Sequence, residues 1–227
     1  MEALPMESNP DTMNKYLQKL GVPDNWRMVD VIGLEEEALG WVPRPVLAVV
    51  LLFPLSDAYE VHRTIEESEL KTSQEELPKN VFHLKQVLSN VCGTIALVHS
   101  IANNDNKIQL VDGLLKSYID EAKGLNSAAK GELLERSTAI LEAYKDLVRS
   151  TSHETEQTEE PVNYHFVTFI HKDGHLYELD GRKDRPIDHG PTTAEGLLED
   201  AAKVCREFIK REPDNIGFNV VALVPAQ

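Results

Sequence analysis

Basic residues are scarce in this chain: 23 lysines and arginines stand against 38 aspartates and glutamates, a net charge of −15 over 227 residues. Binding a phosphate backbone needs clustered Lys and Arg, so nucleic acid is excluded as the main partner. Cysteine is scarcer still. Cys92 and Cys205 are the two thiols present. The opening stretch, MEALPMESNP, has neither the basic start nor the apolar core of a secretion signal. Both cysteines are therefore expected to stay reduced, in a cytoplasmic protein. Long hydrophobic runs are missing too. The longest, Val46 to Leu55, is interrupted by Pro54 and is half the length a spanning helix needs, roughly 20 residues. No glycine-rich phosphate loop is found. His83, His171, His175 and His189 show no metal-ligand spacing with a second cysteine. Neither a metal nor a cofactor is expected.

What is present is an ordinary globular composition, 41% hydrophobic and 27% charged, in a chain long enough for one large core. Asn9 can cap a first helix with Pro10 in its first turn, and Gly21 can end it. Arg27–Val31 reads as a short strand. Val46–Phe53 is continuously apolar, as a strand covered on both faces would be. Ser56 and Asp57 open a charged helix to about Leu70. The segment from Asn90 to Ile101 is apolar almost all round, which predicts a buried helix. Helices follow over Val111–Lys123 and Ala128–Ser150. Residues 151–160 are polar, acidic and aperiodic. Tyr164–Ile170 and His175–Leu179 form a hairpin around Asp173-Gly174. Thr192 with Glu195 makes a capping box for a helix carrying Leu197, Ala201, Val204, Cys205 and Phe208 on one face. Phe218–Val224 is a last strand. Helices interrupt the strands irregularly, which predicts a single α/β (α+β) domain over residues 1–227.

Two groups in this pattern can do chemistry together. Ser89 or Asn90 can cap the buried helix, which puts Cys92 in its first turn. The partial positive charge there favours the thiolate, the nucleophilic form. Gly93 beside it would let a substrate approach the backbone. A thiolate needs a base, and the base needs an orienter. The hairpin offers both. If Ile170 and His175 close the loop, His165 lies directly opposite Asp180. A tighter two-residue turn makes them diagonal neighbours on the same face. Either spacing, about 5 or 7–8 Å between Cβ atoms, lets the carboxylate reach the imidazole. Gln86, six residues before Cys92, could donate its amide to an oxyanion. Cys205 falls in step with core positions and is assigned to packing. His99 is expected to be a hydrogen-bonded core residue.

These residues resemble the ubiquitin C-terminal hydrolase family. Gln86 to Ser89 followed by Asn90-Val91-Cys92-Gly93-Thr94 is similar to its nucleophile motif. Tyr164-His165-Phe166 is similar to its histidine strand. Leu176-Tyr177-Glu178-Leu179-Asp180-Gly181-Arg182 is similar to its aspartate motif. The likeness runs end to end with order and spacing kept. It implies a papain-like cysteine hydrolase fold, a central antiparallel sheet flanked by helices, with a knotted backbone. It implies hydrolysis of small esters, amides or peptides on the C-terminal glycine of ubiquitin, possible relatives of ubiquitin included. Cys92 would be the nucleophile and His165 the general base and acid. Asp180 would orient His165, and Gln86 would complete the oxyanion hole. A crossover loop over about residues 149–161 would limit leaving groups to small ones. Pro5, Met6, Glu7, Asp30 and Tyr164 would contact ubiquitin, and the acidic surface would steer its arginine-bearing tail. A monomer free of membranes is expected.

Overall fold

The apolar run expected near residue 50 has no polar face because both of its faces are covered. In a computed structural model, which describes residues 4–72, 77–151 and 163–226, it forms strand β2 (Ala48–Pro54) in the middle of the sheet. The other strands are β1 (Trp26–Asp30), β3 (Tyr164–Lys172), β4 (His175–Leu179), β5 (Ile187–Pro191) and β6 (Asn219–Pro225). Their order is β1-β6-β2-β3-β4-β5, and every neighbouring pair is antiparallel. Side chains alternate across the pleat. Ala48, Val50, Phe166 and Ile170 enter one core, and Val49, Leu51, Phe53, Val167 and Phe169 enter the other.

Helices cover both faces. The first core holds α1 (Pro10–Leu20), α4 (Cys92–Ala102), α5 (Leu114–Ala122), α6 (Ser127–Arg136) and α7 (Thr138–Thr151). The second holds the short α2 (Glu36–Leu39) and α8 (Leu197–Arg211), with α3 (Asp57–Thr72) at its edge. The α+β class, with a central antiparallel sheet, is as the sequence implied. Asn9 caps α1 by accepting from the N–H groups of Asp11 and Thr12. Gly21 ends that helix at φ 99°, a conformation that costs other residues a steric clash. From Gly93 to Ala102, α4 is buried throughout. No helix among the described residues is long and apolar enough to cross a membrane.

Three expectations need correction. The single helix over 128–150 is two, because Ser137 turns its hydroxyl and its N–H back onto the Leu133 carbonyl and closes α6. Thr192 caps nothing. Its hydroxyl donates to Asp200 Oδ2 at 2.6 Å, and α8 begins after Gly196 with no side-chain cap. Neither Ser89 nor Asn90 caps α4; the cap position is Val91, and Asn90 takes a left-handed φ of 63°. Of the anticipated crossover loop, residues 149–151 complete α7, and 152–161 lie outside the described residues.

Between α3 and α4 an irregular segment, residues 81–87, runs without strand partners, yet four of its amides find acceptors individually. Phe82 N–H donates to Asn103, Leu84 N–H to His99 Nε2, Lys85 N–H to the Ser127 carbonyl and Gln86 N–H to the Gly181 carbonyl. Such pairing holds an irregular backbone in place much as a ladder does. At Gly131 of α6 an added Cβ would stand 1.9 Å from the Lys85 carbonyl oxygen. Glycine to alanine inside a helix normally stabilises by about 0.5–1 kcal/mol. Gly131→Ala is expected to do the reverse, lowering stability by about 1–3 kcal/mol through overpacking. Urea denaturation at neutral pH checks it.

Candidate active site

The hairpin closes with Lys172 opposite His175, the tighter of the two registers considered. Asp173 at φ 50° and Gly174 at φ 81° make the two-residue turn, which suits the twist of the strands. His165 and Asp180 are thus diagonal, one residue into β3 and one past the end of β4. Their side chains meet: His165 Nε2 lies 2.6 Å from Asp180 Oδ1. Both residues are buried, at 2% and 0% exposure. The rings of Phe53 and Tyr59 flank the imidazole at centroid distances of 5.7 and 6.2 Å.

Burial alone would push the His165 imidazole down. The charge of Asp180, its hydrogen bond and a hydrogen bond with Cys92 outweigh burial and raise it to about 9. Burial would likewise push Asp180 up, yet the attraction of His165, with help from Lys183 and the Tyr59 hydroxyl, holds it well below the usual carboxylate range. The pair is therefore a carboxylate and an imidazolium at neutral pH. With Nε2 committed to Asp180, Nδ1 is the nitrogen left for the Cys92 thiol.

Cys92 is the first residue of α4 and is half-buried, whereas Cys205 is sealed in the core, where burial pushes its thiol up to about 12. Neither forms a disulfide. The N-cap of α4, Val91, makes no side-chain hydrogen bond to the first-turn N–H groups beside the thiol. The space at Gly93 is taken by the protein itself. A Cβ there would stand 2.5 Å from Met6 Cβ, so it is Met6, not a substrate, that needs this glycine. Met6 is 7% exposed and is packed down rather than offered to a partner. Its neighbours are tied to Tyr144, whose hydroxyl donates to the Pro5 carbonyl at 3.3 Å. Pro5, Glu7, Asp30 and Tyr164 are exposed.

Gln86 reaches the site on the irregular segment. Its Nε2 donates to the Leu88 carbonyl at 2.8 Å, which leaves a second amide hydrogen, and its Oε1 is buried without a partner. The loop carrying Asp180 is held from several sides. His83 Nε2 is 2.9 Å from the Asp180 carbonyl and its Nδ1 is 2.9 Å from Ser127 Oγ. A carbonyl can only accept, so His83 Nε2–H donates to it, and burial lowers the pKa of this imidazole. Tyr59 Oη is 2.5 Å from Asp180 Oδ2. Lys183, just beyond, is 2.6 Å from both Glu178 and Glu66, and His189 is 2.8 Å from Glu178. Sequence reasoning gave none of Tyr59, His83, Lys183 or Glu178 a place here. Tyr59 and His83 meet Asp180 from distant parts of the chain, and the Lys183–Glu178 pair is completed by Glu66 and His189, so no single local pattern marks them. His99 is the expected core residue, accepting from Leu84 N–H at 3.0 Å.

A thiol at a helix tip, an imidazolium within its reach and a buried carboxylate behind the ring define a thiol hydrolase of the cysteine–histidine–aspartate kind. Similarity to known proteins makes the class specific. The sequence profile of "Ubiquitin carboxyl-terminal hydrolase, family 1" matches residues 3–210, and the chain belongs to that family. It is 43% identical over 223 residues to a Drosophila melanogaster ubiquitin carboxyl-terminal hydrolase, covering 98% of this chain and 97% of the relative. It is 45% identical to the Rattus norvegicus ubiquitin carboxyl-terminal hydrolase isozyme L1 over 227 residues, the whole of both chains. In fold it is similar to a solved Trichinella spiralis UCH37 catalytic domain bound to ubiquitin vinyl methyl ester. The TM-score is 0.77 at 24% identity, over 100% of this chain and 97% of that one.

The pKa of His165 gives a direct prediction. Its folded value lies above the ordinary 6.5, so the stability it lends is full below about pH 6.5 and is lost as pH rises through about 9, on the order of 3 kcal/mol. Asp180→Asn removes the charge that opposes burial. A ¹H–¹⁵N NMR titration should then show the His165 midpoint falling from near 9 to below 6.5.

Proposed function

We propose that this enzyme hydrolyses ester, amide and short peptide bonds at the C-terminal glycine of ubiquitin, through an acyl-enzyme on Cys92. The observation that carries the reading is the buried 2.6 Å contact between His165 and Asp180, with Cys92 near enough to the same ring to help it keep its proton. In this mechanism the imidazolium stabilises the Cys92 thiolate, which attacks the glycine carbonyl. The oxyanion accepts from the Cys92 N–H at the uncapped helix start and from the free amide hydrogen of Gln86. His165 then gives its proton to the leaving group, and the acyl-enzyme forms. Water, deprotonated by the same imidazole, releases ubiquitin. Asp180 holds the ring in orientation and stabilises its charged form throughout.

The reading extends to recognition. Pro5, Glu7, Asp30 and Tyr164 are the exposed candidates for ubiquitin contact. Asp30 shares a surface pocket with Asp11 and Ser8, a setting that suits a basic side chain. Met6 supports this surface from below. We take residues 1–227 as one catalytic unit that works as a monomer in the cytoplasm, and a charge of −15 opposes self-association. Ubiquitin-like modifiers that share the tail chemistry are admitted as secondary substrates.

A fluorogenic amide on the ubiquitin C-terminus tests the reading. The chain should turn it over, and Cys92→Ala should lower kcat by at least about 10⁴-fold, the scale on which loss of a nucleophile acts. Tight ubiquitin binding without turnover would replace the enzyme with a binding module.

A further inference from the structure

Asp180 presents one carboxylate oxygen to His165, and the other has a partner of its own. Oδ1 receives the imidazole at 2.6 Å and the Arg182 N–H at 2.8 Å. Oδ2 receives the Tyr59 hydroxyl at 2.5 Å. Burial and the nearby Asp180 charge both raise the phenol far above its ordinary range, so Tyr59 keeps its proton and is always the donor. We propose that Tyr59 is a positioning residue for this reaction: it fixes the plane of the Asp180 carboxylate and so keeps the imidazolium of His165 aligned on Cys92. The inference rests on the roles given above to Asp180, His165 and Cys92.

The placement of α3 supports it. Among that helix's described side chains Tyr59 alone is buried, at 4% exposure. Val61 and Ile65 remain in solvent, at 60% and 54%. The helix is therefore not docked by an apolar face. It grips the loop after β4 through polar contacts: Tyr59 to Asp180, Glu60 to Arg182 and Glu66 to Lys183. Ser56 helps to set the angle of entry by accepting from the Tyr59 N–H at 3.1 Å.

The carboxylate has a competing attraction. Lys183 draws on Asp180 electrostatically while bound to Glu178 and Glu66. Without the phenol, Oδ2 would be a buried anionic oxygen with no donor, an expensive state. The carboxylate would turn toward the ammonium and loosen from His165. Cys92, Lys183, Arg182, Tyr59 and His83 are the polar or charged groups that face the pair. Of these, Tyr59 is the side chain that bonds the second oxygen.

Tyr59 also packs on Phe53, with centroids 5.0 Å apart, and a phenylalanine would serve that purpose equally well. Tyr59→Phe therefore separates positioning from packing. With the fluorogenic ubiquitin amide, kcat should fall about tenfold while KM stays within twofold. The alkaline limb of the kcat/KM profile should move to lower pH, because His165 surrenders its proton more easily. In the unliganded protein the downfield ¹H resonance of His165 Nε2–H should shift upfield or broaden. Tyr59→Leu should show the same changes together with a lower melting temperature. If Tyr59→Phe matches wild type in kcat, pH limb and resonance while Tyr59→Leu does not, the ring is mere packing and the proposal falls. If wild type turns over no ubiquitin amide, the functional reading fails, and the NMR comparison still decides whether Tyr59 controls the Asp180–His165 bond.

Discussion

A carboxylate and an imidazole meet at 2.6 Å at the end of the β3–β4 hairpin, both withdrawn from water. In that setting charge attraction is little screened, so the pair can hold a proton on His165 that burial alone would expel. The rest of the site follows from that balance. An imidazolium favours an anion beside it, and Cys92 is the first residue of a helix whose N-cap makes no side-chain hydrogen bond. The chemistry is divided between two layers. The thiol comes from a helix of the first core, and the rings around the imidazole, Phe53 and Tyr59, come from the second. The sheet keeps the two in register.

The surroundings of the pair show how a loop can be made rigid without regular structure. The Asp180 carbonyl is bonded by His83, its carboxylate by Tyr59 and the Arg182 N–H, and the neighbouring Gly181 carbonyl by the Gln86 N–H. Gln86 is thus tied to the loop that carries Asp180. Gln86 and the Asp180 loop share one backbone contact, and a displacement of either would be felt by the other. Glycine at 131 and 93 serves the same end by close approach. One lets α6 press on the irregular segment, and the other lets Met6 cover the start of α4.

Much of this was legible in the sequence, for definite reasons. The apolar run around Val50 could only be a strand covered on both sides. The turn signal at Asp173-Gly174 marked a hairpin, and either of its two possible registers brought His165 and Asp180 together, while the all-round apolar stretch after Cys92 marked a buried helix. What stayed hidden depends on contacts distant in the chain. Tyr59 is 121 residues from Asp180, and in the sequence it looks like one aromatic on a charged helix. β5 is an edge strand with mostly exposed side chains and a Gly-Pro end, so its pattern reads as a loop. Gly93 was read as room for substrate because nothing local announces that Met6 fills it. The break at Ser137 was missed because a hydroxyl turned back on a carbonyl leaves the apolar periodicity of the two helices unbroken.

On this proposal, Asp180 and His165 together make Cys92 the reactive thiol of this chain. Labelling with a ubiquitin-derived electrophile, followed by peptide mapping of the adduct, tests it most directly. An adduct on Cys92 alone is expected, formed far more slowly in His165→Ala and in Asp180→Asn, with Cys205 untouched. Labelling at Cys205, or equal labelling of Cys92 in all three proteins, would contradict it.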